Sequence, residues 1–84
     1  MTMIQVGTRT YVRLADIVSV SCLTELADLS RVRTAREEGR AVVLTGKTNC
    51  TAVYLTDGKV ILTSVSAKLI RDRIQAADMI SILN

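Results

Sequence analysis

The sequence predicts a small α/β protein of the α+β kind, a mostly antiparallel β-sheet carrying two helices. Three observations support this. A helical stretch closes at Ala35-Arg36-Glu37-Glu38-Gly39, with glycine where a helix commonly ends in a left-handed residue. Three short β-rich segments follow, parted by a polar turn at Gly46-Lys47-Thr48-Asn49 and by Asp57-Gly58, a dipeptide that favours a tight hairpin. Gly7, Gly39, Gly46 and Gly58 fall between the expected elements, and proline is absent.

Met3 to Val6 reads as a first strand. Beyond Gly7, Tyr11 and Val12 continue β structure, and Ile17-Val18-Ser19-Val20-Ser21-Cys22 alternates into another strand. Leu26, Leu29, Val32 and Ala35 recur at every third position and predict a helix over Leu26 to Glu38. Arg33, Arg36 and Arg40 sit beside Leu29 at helical spacing; with Glu37 and Glu38 as counter-charges they read as a solvated face. Ala41 to Thr45 and Cys50 to Thr56 are expected strands, and Lys59 to Val65 pairs back after the Asp57-Gly58 turn. The unbroken apolar run Val60-Ile61-Leu62 suits a strand covered on both faces, which suggests packing against a second subunit. Ser66 is a good N-cap for the last helix, whose Ile70, Ile74 and Ala77 share a face. That helix is expected to fray near Met79, leaving Ile80, Ile82 and Leu83 as an apolar tail that docks on the same or a neighbouring protomer.

Eighty-four residues make one domain with a modest core, and with no Phe, no Trp and only Tyr11 and Tyr54 that core is aliphatic. Yet 49% of the chain is apolar. A domain this small buries only about 60% of its unfolded-chain surface. A homo-oligomer whose interface completes the core is therefore expected. The net charge of +3 permits contact with nucleic acid without demanding it. Single-strand recognition by stacking is disfavoured, because stacking groups are so scarce.

Histidine is absent, so neither the usual nucleophile-base triad nor a zinc site with its ordinary ligands can be assembled. No enzyme activity, metal or small-molecule cofactor is expected. Cys22 and Cys50 lie in strand-like runs and read as small buried hydrophobes. Thr45-Gly46-Lys47-Thr48 looks like the end of a phosphate-binding loop, but that motif needs a glycine at position 41, where Ala41 stands. It also needs a helix directly after Lys-Thr, whereas a strand is expected there. No charged leader with an apolar stretch opens the chain and no apolar run is long enough to span a bilayer, so a cytoplasmic setting is expected.

A wider pattern also stands in the sequence. Ile4-Gln5-Val6-Gly7 with Ile17-Val18-Ser19-Val20, Ala35-Arg36-Glu37-Glu38-Gly39, Ala52-Val53 with Thr56-Asp57, and Val60-Ile61-Leu62 with Arg73-Ile74 together resemble the RemA family of bacterial extracellular-matrix regulators. The first part, Ile4 to Val20, and Leu55-Thr56-Asp57-Gly58 with the strand and helix after it are also similar to half of a LytTR-type DNA-binding domain.

The RemA resemblance implies a small α/β protein that closes into a homo-oligomeric ring and binds double-stranded DNA on a basic outer surface to regulate transcription. Contacts would be made mainly to phosphates, with sequence read partly through DNA shape. The family carries an arginine pair in the loop before the Ala-Val strand, where Thr48 and Asn49 stand here, and a further family arginine falls on Asp16. The candidate contacts are accordingly Lys47, Thr48 and Asn49 in the loop, with Arg9, Arg13 and Arg40 supplying compensating charge. An alternative is a RemA-like oligomeric scaffold that has lost DNA binding and acts on other proteins.

Overall fold

The computed structural model describes residues 2–24, 26–44 and 49–83, with the side chains of 79–83 excepted. Strands β1 (Met3–Gly7) and β2 (Thr10–Arg13) form an antiparallel hairpin, and a short 3-10 turn at Leu14–Asp16 leads into β3 (Ile17–Cys22). Helix α1 (Leu26–Glu37), β4 (Ala41–Val43), β5 (Thr51–Leu55), β6 (Val60–Thr63) and α2 (Ala67–Leu83) follow. The small α+β fold expected from the sequence is therefore present.

The main sheet has the order β3-β5-β6-β4. Its β3-β5 and β5-β6 pairs are antiparallel, whereas β4 lies parallel to β6. Consequently β3 and β4, joined through α1, run in the same direction at opposite edges, and the β5-β6 hairpin fills the space between them. Strands β4 and β5, consecutive in the chain, are therefore not neighbours in the sheet, because β6 lies between them. Leu44 N–H donates to Leu62 O at 3.0 Å and Cys50 N–H to Thr63 O at 3.0 Å, so both flanks of segment 45–48 are tied to β6.

Local chemistry explains the ends of the elements. Gly39 has φ +73°, and Arg40 N–H reaches back to Ala35 O at 2.7 Å while Gly39 N–H reaches Arg36 O, the paired bonds of a left-handed helix close. In the β5-β6 turn, Gly58 has φ +89° and donates its N–H to Leu55 O. Asp57 Oδ1 accepts from Lys59 N–H at 2.9 Å, which sets the hairpin as a three-residue loop with a left-handed glycine. Ser66 caps α2 as predicted, its Oγ accepting from Leu69 N–H at 3.2 Å. Helix α2 continues to Leu83 instead of fraying near Met79. The side chains of Ile80, Ile82 and Leu83 lie outside the described residues, and so does their expected docking.

Both faces of the sheet are covered within one chain. Val53 and Ile61 point to a cluster formed with Ile4, Val6, Val12, Val20, Ala67 and Ile70, on the side of α2 and the β1-β2 hairpin. Ala52, Val60 and Leu62 point the other way, to Val32 and Ala35 of α1. The continuous run Val60-Ile61-Leu62 is therefore buried on both sides by its own helices, which corrects the expectation that a second subunit covers it.

Two further expectations are corrected. Leu26 is 84% exposed and Leu29 46%, and the buried stripe of α1 is Asp28, Val32 and Ala35. A step of three residues falls about 60° short of a helical turn, so the predicted series rotates off the packed face. Cys22 and Cys50 are free and exposed, not buried. Cys22 ends an edge strand and Cys50 precedes β5, where Thr51 is the residue fully inside.

The two buried threonine hydroxyls are satisfied. Thr63 Oγ1 donates to Val6 O at 2.7 Å and accepts from Val65 N–H, and Thr51 Oγ1 lies 3.5 Å from Cys50 Sγ. Helix α2 is moored through guanidinium groups, Arg71 to Val20 O at 2.7 Å and Arg73 to Gln5 O at 2.8 Å. Among the described residues no helix is long and apolar enough to cross a membrane.

Candidate nucleic-acid interface

The strand directions divide the molecule into two ends. One end holds the β1-β2 turn at Thr8-Arg9, the flanks of segment 45–48, and the link from β6 to α2. The other holds the Leu14–Asp16 turn, the end of α1 and the Gly58 turn, joined by Thr56 N–H to Asp16 O at 2.9 Å. The four candidate residues that the structure describes, Arg9, Arg13, Arg40 and Asn49, do not share one end.

Arg9 and Asn49 belong to the first. The Thr63 to Val6 hydrogen bond clamps the β1-β2 hairpin to β6, and Gly7 lies so close to Leu44 that a Cβ there would come within 2.6 Å of Leu44 Cδ1. This close approach sets the Arg9 turn beside the point where the 45–48 segment leaves β4. A cleft of about 410 Å³ opens there, lined by the turn, Leu44 and Thr63-Ser64-Val65. Arg9 is exposed and has no carboxylate partner among the described residues. Asn49 is half-buried, and its Oδ1 has no hydrogen-bond partner among the described residues. Lys47 and Thr48 lie outside the described residues.

Arg13 and Arg40 sit at the far end. Arg13 Nε donates to Asp16 Oδ2 at 2.8 Å, so the residue standing at a family arginine position neutralises the arginine nearest to it. Arg40 does not extend the α1 row. Its Nη1 donates to Gly58 O and its Nη2 to Glu38 Oε1 at 3.0 Å, which ties the helix end to the β5-β6 turn. Both guanidiniums thus have partners within the chain, Arg13 at an exposed position and Arg40 at a half-buried one. Arg33 and Arg36 remain exposed on α1, as the solvated face predicts.

Sequence reasoning missed Thr63, Gly7 and Leu44, which position the Arg9 turn. Thr63 was legible only as the polar end of an apolar strand, and nothing in the spacing pairs it with Val6. The strand that follows the Lys47-Thr48 segment, Thr51–Leu55, also rules out the helix that a Walker-type loop requires.

Comparison with protein families gives one decisive observation: the model of the RemA-like family, described as extracellular matrix regulatory protein A-like, matches residues 3–74. The chain belongs to the RemA-like family. That match spans everything from β1 to the middle of α2, so the RemA-like unit includes both ends described above. No curated protein matches the chain.

Proposed function

We propose that this RemA-like chain is a cytoplasmic, ring-forming DNA-binding regulator of transcription that acts by binding rather than catalysis. Its contacts are made to the duplex backbone by Arg9 and Asn49, which share one end of the molecule, with Lys47 and Thr48, outside the described residues, as further contacts. The observation that carries the reading is the clamp of the Arg9 turn, through Thr63 and Leu44, against the base of the loop where the family holds arginines. One exposed guanidinium per protomer is a weak attachment. Repetition around an oligomer turns it into a strong one through effective concentration.

The need for neighbours is supported by apolar surface left in water. Val42 and Val43 on edge strand β4 are 42% and 51% exposed, and Val18 on the opposite edge is 63% exposed. Unpaired edges with apolar side chains favour association. Light scattering at micromolar concentration is expected to give a mass several times 9.2 kDa. A mass of one chain removes the ring.

For DNA, a mobility-shift titration with generic duplex at about 50 and 200 mM salt is expected to show binding that weakens steeply with salt. Arg9→Ala lowers affinity at both and flattens the log-log salt slope by about 0.9 for each phosphate that is no longer neutralised. Absence of binding at the lower salt rejects the regulator. The Arg13 to Asp16 pair then favours the second reading, a RemA-like scaffold that engages other proteins, since it removes charge that a duplex would need.

A further inference from the structure

We infer that the cleft between α1 and the β5-β6 turn is a binding site for a small phosphate monoester, separate from the surface proposed for DNA. The cleft lies at the Gly58 end, away from Arg9, and holds about 330 Å³. That is the lower limit of ordinary ligand clefts, so the ligand is small.

The charge of its lining is one-sided. Arg31, Arg40 and Lys59 come from three different segments and meet there, and no carboxylate lines the cleft. The acids that accompany two of these cations, Glu38 and Asp57, are not part of that lining. Ser30 and Thr34, on the same side of α1 as Arg31, add hydroxyl donors.

The three cations differ in how firmly they are held. Arg40 is fixed by Gly58 O and Glu38 and forms a rigid wall of the site. Arg31 rests with its guanidinium carbon 6.0 Å from the centroid of the Tyr54 ring, and Lys59 Nζ stands 4.0 Å from Asp57 Oδ2. Those are weak restraints at exposed positions, so both side chains are available to an incoming anion. Tyr54 itself is locked, its hydroxyl donating to Asp28 Oδ1 at 2.9 Å, and with Leu55 and Val60 it provides an apolar floor for the body of the ligand.

Glu38 and Asp57 already stand beside Arg40 and Lys59, so among the described residues only Arg31 of the three lacks an ion-pair partner, and the choice of ligand rests on the number and spread of donors rather than on net charge. A phosphate monoester carries about −1.5 to −2 charge at pH 7 and three strong acceptor oxygens. Guanidinium and ammonium donors on separate elements suit that geometry, and the apolar floor distinguishes an ester from the free ion.

The test is an amide NMR titration of the full chain with ribose 5-phosphate and adenosine monophosphate, beside inorganic phosphate, adenosine and a generic DNA duplex. Saturable shifts of Arg31, Tyr54, Gly58 and Lys59 with at least one ester, and none with adenosine, are expected. Arg31→Ala and Lys59→Ala each weaken that binding about tenfold, the loss of one hydrogen bond to a charged group. Both positions are exposed, so the folded spectrum is retained. The inference is overturned if neither ester gives saturable shifts, if both variants bind as the parent does, or if inorganic phosphate binds as tightly as the esters. Equal perturbation of the same residues by the duplex also overturns it, since the cleft would then serve the DNA backbone. Failure of DNA binding leaves these outcomes intact, because the two surfaces occupy opposite ends.

Discussion

Leu62→Ala is expected to cost about 3–4 kcal/mol of stability, within the range for truncating a buried leucine. Leu62 is 1% exposed, sits in the strand second from the edge, and packs with Val32, Ala35, Ala52 and Val60 between the sheet and α1. A chain of this length has a total stability of roughly 4–13 kcal/mol, so the variant approaches unfolding at ambient temperature. Urea denaturation checks it, with Leu69→Ala as the control. Leu69 is 43% exposed on α2, and its truncation should cost less than about 1 kcal/mol. Equal midpoints for the two variants would contradict the double-sided burial of β6.

Tyr54→Phe has the next largest effect, about 1–3 kcal/mol, because it deprives the buried Asp28 carboxylate of its hydroxyl donor. The same pair produces an alkaline transition. Burial raises the Tyr54 hydroxyl from 10.0 to about 12, reinforced by the hydrogen bond to Asp28 and by its charge, against the opposing pull of Arg31. The folded state thus holds this proton more tightly than the unfolded chain does. The stabilisation is fully present below pH 10 and is lost as pH rises from 10 through about 12. With solvent screening of a half-buried group, the loss is no more than about 1–2 kcal/mol. Denaturation midpoints between pH 8 and pH 12 should fall further for the parent than for Tyr54→Phe, whose difference isolates Tyr54 from other alkaline groups. Parallel curves would show that the phenol and Asp28 are not coupled.

Much of this fold was legible because its signals are local. Gly39 and Asp57-Gly58 each declare a backbone conformation that few residues share, and Ser66 declares a helix start; all act within a few residues of themselves. Strand order was not legible. Nothing between Ala41 and Thr56 states that β4 pairs with β6 in parallel, since that choice is made by α1 carrying the chain across the sheet. Burial of α1 misled for a related reason: the spacing of Leu26 and Leu29 fits a helix, but which face is covered depends on where β4 and β5 lie. The candidate site divides along the same line. Arg9 and Asn49 were recognisable as polar residues near turns, whereas the commitment of Arg13 to Asp16 and of Arg40 to Gly58 O arises from contacts that charge counting cannot weigh. Arg31 and Tyr54 stand apart in sequence, and only the packing of α1 on the sheet brings them together.

The placement of the β5-β6 hairpin between β3 and β4 also implies an order in time. A hairpin closed by a three-residue turn needs only local contacts, whereas pairing either edge strand joins parts of the chain far apart in sequence and must first close a larger loop. Neither edge strand has another strand of the main sheet to rest on until that centre exists, because β3 pairs only with β5 and β4 only with β6. The sheet is therefore expected to build from the middle outward, with the two edges that carry exposed valines the last parts to find their places.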